Sequence, residues 1–214
     1  MTQYERMTAG LLYDPGDLVI MAEQVPFQDK LWEFNQLKPS DLEKRERYMK
    51  EVFAECGDGC YIELPFHANW GGRHVHFGSG IYANSNLTLV DDGHIYIGDK
   101  VMLGPNVTIV TANHPVNADL RSRGLQYNKE VHIGENAWIG AGVVIVPGVN
   151  IGKNTVIGAG SIVTKDIPDN VVVVGNPCQV LREVSERDRL YFYRMEPIDW
   201  ENLRKKKQND LRKV

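Results

Sequence analysis

The sequence predicts a mainly β fold: a parallel β-helix of triangular section, with a helical cap before it and a short helical extension after it. Three observations carry that prediction. A six-residue period of branched residues runs through the second half of the chain, glycines recur at a fixed place in that period, and the N-terminal third is patterned as helix.

Steps of six from Ile133 reach Ile139, Ile145, Ile151, Ile157 and Val163, with glycine following at Gly134, Gly140, Gly152 and Gly158. Four residues after each first position lies a small or branched residue: Ala137, Val143, Val149, Thr155, Ser161 and Ile167. The grid also runs earlier, through Phe77-Gly78 and Ile81, Ala83 and Leu87, Ile97-Gly98 and Val101, and Leu103-Gly104 and Val107, with one phase shift around Asp91–His94. Such a period matches neither an amphipathic helix nor the alternation of a hairpin sheet. It suits short strands joined by tight corners. The branched residue points into the core, and the glycine supplies the close or left-handed backbone a corner needs. Stacked coils of this kind bury a continuous column of Ile and Val. Sandwich strands would show longer runs and wider turn spacing.

Residues 1–60 read as the cap. Ser40–Glu43 has the form of a capping box, and Leu42, Tyr48, Met49, Val52 and Phe53 form an apolar stripe stopped by Gly57 and Gly59. Shorter helices are expected at 5–12 and 28–37, punctuated by Pro26 and Pro39. Solenoid ends need covering, which gives these helices their place. Residues 61–184 form the β-helix, with a strand at Val180–Val184, and 185–214 the extension, with helices at Ser185–Met195 and Asp199–Val214. The basic run at the C-terminus reads as a solvated face.

Composition limits the function classes. A net charge of −4 over 214 residues gives no global basic field for nucleic acid or an anionic membrane. The start of the chain has no apolar signal core, and no run has the length of a membrane span. Three cysteines, Cys56, Cys60 and Cys178, make no disulfide framework and point to a reducing cytoplasm. Cys56 and Cys60 have the spacing of half a zinc site, but no second half follows, so no metal is expected.

The grid breaks between Val110 and Glu130, and a long excursion from a tight solenoid is either functional or disordered. His114 stands at its start, and Pro115 restricts the His114 backbone to extended conformations. Imidazole, with an ordinary pKa of about 6.5, suits a general base. Acyl transfer to a hydroxyl needs such a base and a held donor, and no covalent nucleophile. Asn84 and Asp92 admit two readings, as corner residues or as donors and acceptors for a polar ligand. His74, His76 and His132 neighbour inward positions and are expected to face outward.

The runs Tyr82–Asn84, Leu89–Asp92, Gly98-Asp99, Pro105–Thr108 and His114-Pro115 resemble the hexapeptide-repeat acyltransferases, specifically their galactoside and maltose O-acetyltransferase subgroup. So do ERMTAGLLYDPGD, AWIGAGVVIVPGV and VIGAGSIVTKDIPDNVVVVGNPCQVLRE, and the resemblance covers residues 4–193. It implies a left-handed coil, where general chain physics favours right-handed crossovers. It further implies acetyl-CoA as co-substrate, direct transfer to a sugar hydroxyl, and a homotrimer with sites between neighbouring prisms. The catalytic His falls on His114. The sugar contacts fall on Asn84, Asp92 and Tyr82, with another near Asn69, where the run to Arg73 is one residue longer than the family pattern. The family's early acidic contact has Asp14 or Asp17 as its counterpart. The coenzyme A contacts fall on Trp138, Ala141, Ala159, Thr164, Lys165 and Arg182; Ala141 replaces a frequent hydroxyl and Gln179 a frequent base.

Three other readings stay open on the residues: acetylation of a non-sugar hydroxyl such as an antibiotic or serine, a zinc carbonic anhydrase drawing ligands from His74, His76, His114 and His132, and a non-catalytic scaffold.

Overall fold

The computed structural model describes residues 1–203 and divides the chain into two compact units, Met1–Arg182 and Glu183–Val214. The first is the expected left-handed parallel β-helix, of about 6 turns. Its three faces are stacks of short parallel strands. Face one runs Glu55–Cys56, Val75–Phe77, Ile95–Ile97, Val131–Ile133 and Asn150–Ile151. Face two begins Tyr61–Ile62, Tyr82–Ala83, Met102–Leu103, Trp138–Ile139, Val156–Ile157 and Val171–Gly175, and ends with Cys178–Glu183. Face three runs Phe66–Ala68, Leu87–Val90, Thr108–Val110, Val144–Ile145 and Ile162–Val163. Like residues stack in register, as Ile97, Ile133 and Ile151 do. These columns are buried, each side chain contributing roughly 1.5–3 kcal/mol.

The corners divide the two roles assigned to glycine. The glycine after each branched residue sits under the next coil: a Cβ on Gly134 would meet Lys153 N at 2.6 Å, and one on Gly140 would meet Ala159 N at 2.6 Å. Left-handed backbone occurs two residues later, at Asn136, Gly142, Gly148, Asn154 and Gly160. Where asparagine fills that place, its amide bonds the equivalent asparagine one coil on: Asn136 donates to Asn154 at 2.9 Å, and Asn154 to Asn170 at 3.0 Å. Two glycines of one corner therefore differ in replaceability. Gly140→Val is expected to cost about 1–3 kcal/mol or more by overpacking. Gly142→Asn, with open space around its Cβ and the backbone that Asn136 already adopts, is expected to stay within about 0.5 kcal/mol. Urea unfolding of the two variants measures the difference.

Three helices form the cap, the second and third packing on the first coil and the first packing on the second helix and on Tyr127–Asn128. α1 (Gln3–Thr8) starts at a true capping box, with Thr2 and Glu5 bonding each other's backbone N–H. α2 (Leu18–Asn35) is one long helix rather than a short one after Pro26. Asp17 caps it by accepting from Val19 and Ile20, and burial of Ile20, Leu31 and Phe34 on both sides of the proline outweighs the missing N–H. α3 (Leu42–Val52) lacks the expected capping box: its N-cap is Asp41, whose carboxylate instead accepts from Lys38 N at 3.2 Å. It ends before Gly57 because Phe53 turns extended and sets its ring against Phe66 and Phe77. Leu31, Phe34, Tyr48, Met49 and Val52 join the column core, so the cap closes the prism end.

In the second unit, the helix expected over Ser185–Met195 is shorter. The C-terminal helix covers only Glu186–Leu190, and Tyr191–Tyr193 pairs antiparallel with Glu196–Pro197. Arg194 makes the turn with φ of 49°. Of the helix expected at Asp199–Val214, residues 200–203 are helical, with Leu203 N donating to Asp199 O at 3.2 Å, and the part beyond 203 lies outside the described residues. No helix of the described residues is long and apolar enough to cross a membrane.

Candidate functional site

The excursion after Val110 leaves the edge between faces three and one. It forms an antiparallel pair, Ala112–Asn113 with Tyr127–Asn128, and carries a five-residue helix, α4 (Ala118–Ser122), capped by Asn117. This ribbon holds His114. The imidazole Nδ1 lies 2.8 Å from Leu125 O, and a carbonyl only accepts, so Nδ1 carries the proton and Nε2 keeps its lone pair. Asn113 Oδ1 accepts from His114 N at 2.9 Å. The ring is exposed, with its basic nitrogen oriented by a fixed tautomer.

The strand opposite His114 is itself braced. Tyr13 and Gln126 exchange backbone hydrogen bonds at 2.9 and 3.0 Å. Gln126 Nε2 donates to the buried Tyr13 hydroxyl at 2.5 Å, and Asn128 Nδ2 donates to Asp92 O at 2.9 Å. Burial, then the nearby Asp92 charge, pushes the Tyr13 hydroxyl pKa up. Asp92 is half-buried and accepts from Asn69 Nδ2 at 2.8 Å. Asp91 beside it is wholly buried and accepts from Trp70 N at 2.7 Å and Gly72 N at 2.9 Å. The phase shift in the grid is thus the place where the Trp70–Gly72 backbone is tied down. Tyr13, Asp91, Gln126 and Asn128 were not singled out by the sequence reading; the doubled Asp at the phase shift was the available signal.

A separate groove of about 420 Å³ follows face two to its edge with face three. Tyr82, Met102 and the half-exposed Trp138 form its wall; Asn84, Ala141 and Ala159 sit along its rim; Gly104, Gly140 and Gly158 form a floor. Asn84 is also a corner residue, its Oδ1 accepting from Ser85 N at 2.8 Å, and it lines the groove from that place.

The sequence-predicted residues therefore fall into two groups. Tyr82, Asn84, Trp138, Ala141 and Ala159 meet at the groove. Asn69, Asp92 and His114 gather at the edge between faces three and one, and Thr164 and Lys165 follow Ile162–Val163 at that same edge. Arg182 lies on the last strand of face two. Along one coil, the strand Leu87–Val90 separates Asn84 from Asp92, on the order of 15 Å with its flanking corner residues.

Four of the remaining histidines, His74, His76, His94 and His132, lie on or just before strands of face one, and His67 is on face three. His132 is exposed and His76 half-buried, but His74 is buried, contrary to the outward direction expected from the alternation. Its place in the tied-down segment turns it inward, with Nδ1 2.7 Å from Asp91 O. His76 Nε2 meets His94 Nδ1 at 2.8 Å, and Tyr96 stacks between His76 and His132. Among the described residues, no group of three or more His, Cys, Asp or Glu could hold a metal ion, so the zinc reading lacks a ligand set.

Burial lowers the His74 pKa to about 4, with His94, Arg73 and His76 adding repulsion against the Asp91 carbonyl. Because the folded value lies below the unfolded one, the unfolded chain binds more protons between pH 4 and 6.5, and stability falls as pH drops through that window. The loss attributable to His74 is about 3 kcal/mol. Asp91, pushed up to about 7 by burial, runs the opposite way. It is common to wild type and His74→Gln, so urea titrations at pH 6.5 and 4 should show the smaller acid loss in the variant.

Comparison with known proteins places this geometry. Residues 6–57 match the maltose acetyltransferase hexapeptide capping motif, and residues 130–165 match the bacterial transferase hexapeptide family, six repeats. A galactoside O-acetyltransferase of Lactococcus lactis subsp. lactis is 55% identical over 188 residues, 88% of this chain and 91% of the relative. A solved galactoside acetyltransferase in complex with coenzyme A superposes with a TM-score of 0.89 at 45% identity, over 93% of this chain and 99% of the other. The maltose O-acetyltransferase of Clostridium difficile 630 does so with a TM-score of 0.84 at 42% identity, over 86% of this chain and 98% of the other. With capping helices, repeat and site loop all inside the shared length, the chain belongs to the galactoside and maltose O-acetyltransferase subgroup of the hexapeptide-repeat acyltransferases.

Proposed function

We propose that the protein transfers the acetyl group of acetyl-CoA to a hydroxyl of a galactoside- or maltose-like sugar, with His114 as general base. The observation that carries this reading is the Leu125 carbonyl on His114 Nδ1, which leaves Nε2 able to accept the hydroxyl proton. As that proton moves to Nε2, the sugar oxygen attacks the thioester carbonyl. The tetrahedral intermediate collapses, the carbon–sulfur bond breaks, and the imidazolium returns its proton to the departing thiolate. No covalent acyl-enzyme is needed when donor and acceptor are held together. Asn69, Asp92 and Asn84 supply amide and carboxylate partners for sugar hydroxyls. The glycine-floored groove beside Trp138 fits an elongated chain such as the pantetheine arm, with Ala141 and Ala159 along it, and Thr164, Lys165 and Arg182 supply polar and cationic contacts. The relatives named for galactoside and maltose acetylation support the sugar class. The working unit in this reading is a homotrimer, because the two groups of site residues occupy different edges of one prism and a cyclic neighbour can bring unlike edges together. An acceptor panel of galactosides, maltose, glucose, serine and an antibiotic alcohol, read by thiol release, tests the assignment; turnover confined to non-sugar acceptors overturns it.

A further inference from the structure

The bond that fixes the His114 tautomer lies at the surface, where water competes for both partners. Its persistence depends on what holds the Leu125 carbonyl. Leu125 precedes Gln126, which is buried and paired antiparallel with Tyr13, a residue of the cap. Beside that backbone pair lies a chain of buried polar groups. Gln126 Nε2 donates to the Tyr13 hydroxyl at 2.5 Å, and the hydroxyl donates to Asn128 Oδ1 at 3.4 Å. Asn128 Nδ2 donates in turn to Asp92 O at 2.9 Å, at the edge of the prism. Burial pushes the Tyr13 pKa up, so the hydroxyl keeps its proton at neutral pH and serves both partners. Its ring is 1% exposed and packs with Met7, Ile20 and Trp70, which anchors the hydroxyl to the cap.

We propose that the Tyr13 hydroxyl is a positioning group for acetyl transfer: by holding the Gln126 amide, it keeps the Leu125 carbonyl on His114 Nδ1 and so keeps Nε2 free of a proton. The kinetic consequence rests on His114 acting as the base. Without the hydroxyl, Gln126 Nε2 is a buried donor whose remaining partner is Asn128 Oδ1 at 3.4 Å, beyond the ordinary N–H···O range. Leaving a buried donor unpaired is costly. Gln126 relieves that cost by turning its amide toward water, and the peptide it shares with Leu125 moves with it. The Leu125 carbonyl then leaves Nδ1, and the ring samples both tautomers. In one of them Nε2 carries the proton and has no lone pair to accept the sugar hydroxyl's. The Tyr13 oxygen acts only through Gln126 and Leu125, and neither the groove beside Trp138 nor its lining includes it.

The test is Tyr13→Phe in the full-length protein, which keeps the ring and removes the hydroxyl. With the best sugar acceptor, kcat is expected to fall about 10-fold, within the range that small misplacements of a reacting group produce, while KM for acetyl-CoA is unchanged. The second readout is NMR of protein labelled in its histidine ring nitrogens, recorded above the imidazole pKa, with His114→Ala identifying the His114 signals. Wild type should give widely separated Nδ1 and Nε2 resonances, the mark of one tautomer, and Tyr13→Phe resonances that move toward each other. A loss of stability alone would not move them. Gln126→Leu removes the same bond from the other side and should give both changes, so it serves if Tyr13→Phe does not fold. Resonances that stay as far apart as in wild type in either folded variant, or a wild-type kcat, overturn the proposal. Wild type that acetylates no sugar would instead overturn the proposed function, and the ring nitrogens would still decide the role of Tyr13.

Discussion

Replacing His114 with alanine is expected to lower kcat by about 10²–10⁴-fold, the usual contribution of a positioned general base, with little change in acetyl-CoA binding. The reason is local. Nδ1 is committed to Leu125 O, so Nε2 is the nitrogen that removal deletes, and the apolar groove beside Trp138 is formed by other residues. Steady-state kinetics with the best acceptor, together with a thermal-shift titration of coenzyme A, separates the two effects. Wild-type turnover in His114→Ala would sink the mechanism, whereas loss of coenzyme A binding would show that the variant had damaged more than the base.

Mixing two inactive variants should restore activity. His114→Ala removes a group from the edge between faces three and one; Asn84→Ala removes one from the edge between faces two and three. If sites form where unlike edges of neighbouring subunits meet, co-refolding equal amounts lets intact edges meet at random. About a quarter of the interfaces in a cyclic assembly then carry both wild-type residues, and activity rises from near zero toward that fraction. If each chain works alone, every chain still lacks one residue and activity stays at the level of the parents. The experiment needs no structure of the assembly, and it distinguishes a shared site from a site formed by a single prism.

Much of the fold was legible because its signal is periodic. Ile133, Ile139, Ile145, Ile151 and Ile157 repeat at a spacing that serves one local geometry, and each coil packs mainly on its neighbours. The cap was less legible. Pro26 looked like a boundary, yet the helix runs through it because Ile20, Leu31 and Phe34 are buried on either side. The Ser40–Glu43 motif looked like a capping box, yet Asp41 takes the N-cap place and turns its carboxylate back to Lys38. Helix starts and stops depend on a few bonds, and tertiary packing outweighs them readily.

Within the site, the sequence by itself determined the residue types and the one long break in the repeat: a histidine at the mouth of a long excursion, amides and carboxylates at corners, and an aromatic on a strand. Only the tertiary structure decided how they act. The Leu125 carbonyl is 11 residues from His114 in the chain, and the Tyr13 hydroxyl that braces the same ribbon is 113 residues from Gln126. Pairings at those separations leave no periodic trace. The same holds for His74: alternation placed it outward, but the segment tied to Asp91 turned it in, where burial rather than residue type governs its proton. Spacing along the chain reports which side chains repeat; which edge of the prism they occupy, and what holds each one there, is settled only when the coils stack.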